Sequence, residues 1–107
     1  MKLAKLDDMT RGWFVGAFAP TALWTEACEV SYRHYKAGDK EASHVHRVAT
    51  EVTLVVVGVV RMVGRELGPG DIIVLEPGES TDFEAVTDAT NVVVKVPGAL
   101  NDKYPVG

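Results

Sequence analysis

The chain has 107 residues, 47% of them hydrophobic, a formal net charge of −4 and a single cysteine, Cys28. That length suits one domain with one modest core, and the apolar content is too high for a disordered segment. The acidic balance, with no basic stripe, argues against nucleic acid as a partner; one thiol rules out an intrachain disulfide and fits a reducing, cytoplasmic setting.

The first eleven residues mix Lys2, Lys5, Asp7 and Asp8, so they read as neither a signal peptide nor a membrane span. The longest apolar stretch, residues 54–60, contains Gly58 and is far too short to cross a bilayer, so no membrane association is expected. An extended segment is predicted over residues 13–18, closed by Pro20, with a turn or short helix over residues 21–25. A strand follows over residues 28–36 and ends at Ala37-Gly38-Asp39. Extended segments are then expected over residues 42–45, 51–57 and 59–63, the last two joined or kinked at Gly58. Gly64-Arg65 reads as a tight hairpin turn into residues 66–67. Gly68-Pro69-Gly70-Asp71 is a strong turn, residues 72–75 a strand, and Glu76-Pro77-Gly78 its stop. Residues 82–86 and 91–96 complete the sheet, and the tail from Pro97-Gly98 carries little regular signal. About eight short strands with turns between them point to an all-β sandwich or barrel. Within residues 52–57 only Thr53 is polar, so both faces of that strand should be covered, the second by the N-terminal segment or by a partner subunit. A two-fold homodimer is the simplest such arrangement.

The most informative stretch runs from Gly38 to Gly58. His44 and His46 are two residues apart, so in a strand both project from one face. Glu51, on the next strand, can join them in a three-ligand metal site. Gly38, His44, His46, Glu51 and Gly58 also meet every position of the first motif of the cupin superfamily, the small jelly-roll β-barrels. The second cupin motif is matched in part. Gly70 and Gly78 fit, the proline falls one place late at Pro77, the expected histidine is Thr81 and the expected asparagine is Ala85. The chain is also similar to short single-domain cupins that carry Pro-Gly-Glu-Ser-Thr-Asp-Phe, here residues 77–83, and Val-Val-Val-Lys, here residues 92–95.

The resemblance implies an all-β cupin-type jelly roll: one domain over residues 1–107, with a core barrel over residues 28–97 and residues 1–27 packed on the barrel or at a dimer interface. It also implies a metal at the barrel mouth, since metal-binding cupins use three histidines and the glutamate. His44, His46 and Glu51 remain as ligands here. Thr81 is a weak ligand in the fourth place, and it leaves a position open for water or substrate. Zn, Fe, Mn and Ni all suit imidazole and carboxylate ligands. Asp82 faces away from the Thr81 side on simple alternation.

His34 reads as a surface or hydrogen-bonded strand residue, Tyr32, Tyr35, Trp13 and Trp24 as packing or interface residues, and Cys28 as an inert buried thiol. Arg61 and Lys95, both within apolar strands, are each either a solvated edge charge or an interior binder of an anion such as a carboxylate or sugar phosphate. Three functions follow as expectations. The first is a metal-dependent enzyme acting on a small polar molecule. The second is a metal-free sugar or nucleotide-sugar isomerase or epimerase in which His44 or His46 moves protons. The third is a non-catalytic module that binds a small ligand.

Overall fold

The computed structural model describes residues 1–106 and contains almost no helix. Ten strands run in chain order as β1 Trp13–Val15, β2 Glu29–Tyr35, β3 Lys40–Val45, β4 Thr50–Val57, β5 Val60–Met62, β6 Arg65–Leu67, β7 Ile72–Leu75, β8 Ser80–Ala85, β9 Ala89–Val96 and β10 Tyr104–Pro105. They form two five-stranded antiparallel sheets, ordered β1-β2-β9-β4-β7 and β10-β3-β8-β5-β6. This is the all-β jelly roll expected of the sequence. Among the described residues no helix is long and apolar enough to cross a membrane.

The register explains how one interior holds both a core and a polar site. Glu51, Thr53 and Val55 of β4 stand opposite Lys95, Val93 and Asn91 of β9. Partners in an antiparallel pair share a face, so this whole set points inward. β8 contributes Thr81, Phe83 and Ala85 from the facing sheet, all three buried. Side chains therefore change from polar to apolar along the barrel. Val55, Val60, Met62, Leu75, Phe83, Ala85 and Ala89 close one end as the hydrophobic core. Glu51, Thr81 and Lys95 lie toward the other.

Three local expectations need correction. Residues 21–25 form no helix; the Thr21 hydroxyl lies 3.1 Å from the Phe14 carbonyl oxygen and 3.0 Å from that of Leu23, which holds the chain in bends instead. The only helical turn among the described residues is a 3-10 turn at Leu6–Asp8. The hairpin turn sits one residue earlier than expected. Met62 pairs with Arg65, so Val63-Gly64 is the two-residue loop, with φ of 53° and 70°; that is the φ pattern of a type I′ turn. The tail is not irregular either, because β10 pairs with β3 through Tyr104↔Val45 and Pro105↔His44.

Gly58 turns β4 into β5 at φ +82°, and a Cβ there would lie 2.0 Å from the Asp88 carbonyl oxygen. Only glycine fits such an approach. The N-terminal segment lies along β2, where Ala4, Leu6 and Met9 line a cavity with Phe14 and Tyr32. It does not reach the far side of the same sheet. Ile72 and Val74 of β7 are 62% and 50% exposed. The apolar outer face at β7 is thus open among the described residues.

Candidate metal centre

β3 carries the first ligand candidate through a bulge. Glu41 pairs with Phe83 but His44 pairs with Thr81, so three residues of β3 span two of β8. The extra residue reverses the alternation, and Glu41 and His44 both line the interior despite their odd spacing. His46 follows the end of the strand. The two imidazoles meet edge to face, with ring centroids 5.4 Å apart and planes at 87°. Glu51 comes from the inner face of β4, one short loop later. Its Oε2 lies 3.4 Å from His46 Nε2.

One ligand-capable atom from each of His44, His46 and Glu51 lies within 4.8 Å of the others. Tetrahedral ligands at Zn–N distances of about 2.0–2.1 Å stand about 3.3 Å apart, so small side-chain movements close the set around an ion. Each imidazole is oriented through its other nitrogen. His44 Nδ1 lies 3.0 Å from the Ala42 carbonyl oxygen, and His46 Nδ1 bonds the Asp102 carbonyl oxygen. A ring that donates from Nδ1 to a carbonyl offers the Nε2 lone pair, the usual orientation for a metal-binding histidine. Four buried side-chain atoms among the described residues then have no hydrogen-bond partner, Ser31 Oγ, Asn91 Oδ1, His46 Nε2 and Glu51 Oε2, and the last two belong to this set. Buried polar atoms rarely stay unpaired in a folded protein.

The electrostatics couple the same groups. The Glu51 carboxylate raises His46 above the ordinary histidine range, against an opposing effect of burial. Burial pushes Glu51 up, but the His46 contact and the charges of His46, Lys95 and His44 outweigh it and hold the carboxyl below its usual value. Glu51 is therefore a carboxylate, ready to balance a cation.

Asp102 has no counterpart in the sequence reading. Its side chain is buried under the loop that joins His46 to Glu51. Oδ1 accepts from the backbone N–H of Arg47 at 2.9 Å, and Oδ2 from those of Val48 at 3.0 Å and Ala49 at 2.9 Å. Residue 102 thus shapes the loop with its carboxylate and orients His46 with its carbonyl. Nothing in the segment 99–106 marks this role, because it depends on a contact between residues more than fifty positions apart.

Thr81 stands opposite His44 and is 3% exposed, and its hydroxyl donates to the Asp82 carbonyl oxygen at 2.6 Å. That proton is spent on the backbone, which leaves only a weak oxygen lone pair facing the site. Asp82 points outward, where Oδ1 accepts from Val63 N–H at 3.1 Å, so it supplies no ligand. His34 Nδ1 bonds the Thr90 hydroxyl at 2.8 Å, away from the site. Tyr35 packs on Phe83 at 4.5 Å between ring centroids, and burial pushes its hydroxyl up to about 12. Arg61 reaches Glu84 and Glu66, each at 3.0 Å, on the outer surface. Lys95 goes the other way, into the interior, with its ammonium 4.9 Å from the Trp13 ring centre. Trp24 is 60% exposed and Cys28 is half-buried rather than buried.

A cavity of about 60 Å³ lies beside two of the three ligand candidates, His44 and Glu51, and is lined also by Thr53, Thr81 and Lys95 among others. It shares Trp13, Arg33, Glu41, Lys95 and Lys103 with an outer cavity of about 370 Å³ at the barrel mouth. A larger hollow of about 550 Å³ lies under the N-terminal segment and contains neither site histidine.

No protein-family model and no curated protein matches the chain. Solved structures do. An uncharacterized conserved protein with a double-stranded β-helix domain from Klebsiella pneumoniae is 27% identical over 69% of this chain and 66% of its own, with a TM-score of 0.64. A sugar phosphate isomerase from a cupin superfamily, from Silicibacter pomeroyi, is 24% identical over 65% of this chain and 50% of its own, at 0.62. Oxalate decarboxylase from Bacillus subtilis, a protein with Mn(II) centres, is 20% identical over 77% of this chain, at 0.64. This chain spans only 25% of that enzyme's length. The feature common to all three is the two-sheet β-barrel.

Proposed function

We propose that this chain, a small member of the cupin superfamily, holds one divalent transition-metal ion on His44, His46 and Glu51 and acts on a small polar molecule at the barrel mouth. One observation carries the reading. His46 Nε2 and Glu51 Oε2 are buried side by side, 3.4 Å apart, and apart from that long mutual contact neither has a polar partner. A metal ion satisfies both at once. Such an ion supplies Lewis acidity toward an oxygen of the bound molecule. The chain's own residues do the rest: the Ala42 and Asp102 carbonyls aim the imidazoles, Glu51 balances charge, and Thr81 leaves room where another cupin has a histidine. Mixed imidazole and carboxylate ligands suit Zn, Fe, Mn or Ni.

The contact between His46 and Glu51 also favours a second reading, in which the pair works without metal as a proton carrier of isomerase type. Metal analysis of protein purified without added metal separates the two. The first reading expects about one equivalent of a transition metal, lost in His44→Ala. Metal-free protein that turns over a sugar or nucleotide-sugar supports the second. Metal-free protein that binds such a ligand without turnover would place the chain among non-catalytic binding modules.

The apolar outer face at Val56, Ile72 and Val74 is proposed to be covered by a second copy of the chain in a two-fold dimer. The half-buried single thiol, Cys28, fits residence in the cytoplasm.

A further inference from the structure

Lys95 is the charged group of the interior that the metal reading leaves without a task. It stands on the inner face of β9, with Glu51 on one side and Glu29 on the other as register partners. Neither carboxylate holds its ammonium. Glu29 Oε2 accepts from the Ala99 N–H at 2.7 Å, Glu51 Oε2 lies against His46, and Lys95 forms no ion pair among the described residues. The other two bases that line the inner cavity are engaged, since Arg33 and Lys103 lie 3.7 Å and 3.4 Å from the two oxygens of Glu41. Lys95 instead rests against the Trp13 ring. That contact holds its chain in place and leaves the N–H donors free.

The charge balance decides what would fill the space. A divalent ion on two neutral imidazoles and one carboxylate keeps one positive charge uncompensated, and Lys95 adds a second in the same cavity. A partly dehydrated interior magnifies that excess. Size sets a further limit. A cavity of about 60 Å³ has room for about two waters, hence for a carboxylate head group but not for a sugar ring. The body of such a ligand would extend into the outer cavity of about 370 Å³, past Trp13 and Phe18.

Resting on the metal reading above, we propose that the ligand of this site is a small organic carboxylate, its anionic head placed between the metal position and the Lys95 ammonium. The class includes 2-hydroxy and 2-oxo acids. Lys95 acts here as a specificity residue, because the free ammonium pairs with an anion and gains little from a neutral isostere.

The test uses zinc-loaded protein titrated calorimetrically with lactate and with its neutral amide, lactamide. Lysine is replaced in Lys95→Gln and Lys95→Met, and folding of each variant is checked by thermal melting. The expected result is a lactate affinity at least about ten-fold lower in both variants, ~1.4 kcal/mol, with lactamide unchanged. Equal lactate affinity in wild type and variants overturns the proposal. If neither variant folds, the Lys95 side-chain NMR resonance of the zinc-loaded wild type decides: it shifts with lactate and not with lactamide, or the proposal falls. Zinc stoichiometry is measured on the same samples and reports on the metal separately. Full zinc uptake with Lys95-independent lactate binding keeps the metal and removes the carboxylate site. Failure to take up zinc removes the metal reading, and the same lactate comparison on the metal-free protein then decides the role of Lys95.

Discussion

Replacing Asp102 tests whether a side chain from the tail builds the metal loop. Its carboxylate accepts from three consecutive backbone N–H groups, of Arg47, Val48 and Ala49, at 2.9–3.2 Å. Ala49 is fully buried, so its N–H finds no water when the carboxylate is removed, whereas exposed Val48 lets its own N–H turn to solvent. Hydrogen bonds to a charged group are each worth about 1.5–3 kcal/mol, and an orphaned buried donor costs about 1–3 kcal/mol. With solvent rescue of Val48, Asp102→Ala should destabilise the fold by about 3 kcal/mol, and Asp102→Asn, which keeps one acceptor oxygen, by roughly half as much. The assay is urea unfolding of metal-free protein at several pH values. Burial raises the Asp102 pKa, but the N–H groups of Ala49, Arg47 and Val48 more than offset it, so the folded value lies below the ordinary one. A carboxyl with a lowered folded pKa contributes stability above its unfolded value, about 3.9, and loses it as pH falls through the folded value. The gap between wild type and Asp102→Asn should therefore be full at neutral pH and shrink only below about pH 4. Loss of the loop should also weaken metal binding, through the shared hold on His46. A gap below about 0.5 kcal/mol at neutral pH, or one that does not change with acid, would refute the reasoning.

Four further outcomes follow from the same geometry. Gly58→Ala meets both a positive φ and the Asp88 carbonyl, so it should cost at least about 3 kcal/mol in chemical denaturation; Gly64→Ala, with open space around its Cβ position, should cost about 1 kcal/mol. Thr81→His puts an imidazole opposite His44 and beside the site cavity; chelator competition should show metal binding tightened about ten-fold. Arg61→Ala removes two surface ion pairs of a half-exposed guanidinium, and its effect on the melting midpoint should correspond to less than about 1 kcal/mol. Ile72→Lys on the bare outer face should convert a dimer to a monomer in light scattering without lowering metal content; an unchanged dimer would place the interface elsewhere.

The sequence made the barrel legible because its turns are marked by residues with few alternatives. Strand alternation also placed Asp82 outward, as the structure has it, and the spacing from His44 and His46 brought Glu51 to the same site. Other features depended on physics that a local pattern does not carry. Valine at positive φ is disfavoured, so a pattern search moves the β5–β6 turn to Gly64-Arg65, whereas pairing of Met62 with Arg65 forces Val63 into it. The strand Tyr104–Pro105 has no apolar alternation of its own and exists through the open edge of β3. The bulge between Glu41 and His44 changes which side chains share the interior, and no residue in 41–44 signals it. Lys95 is the sharpest case. In sequence it is a charge at the end of a valine run, and only the partners Glu51 and Glu29 show that it faces inward.

Metal titration of stripped protein tests the three-ligand centre most directly. Wild type, His44→Gln, His46→Gln and Glu51→Gln would be compared by calorimetry with Zn(II) and Mn(II), each variant first shown to be folded. The account predicts saturation at about one ion per chain in wild type and loss of most of that affinity in each of the three variants. Wild-type protein that takes up neither ion, or variants that bind as tightly as wild type, would contradict it.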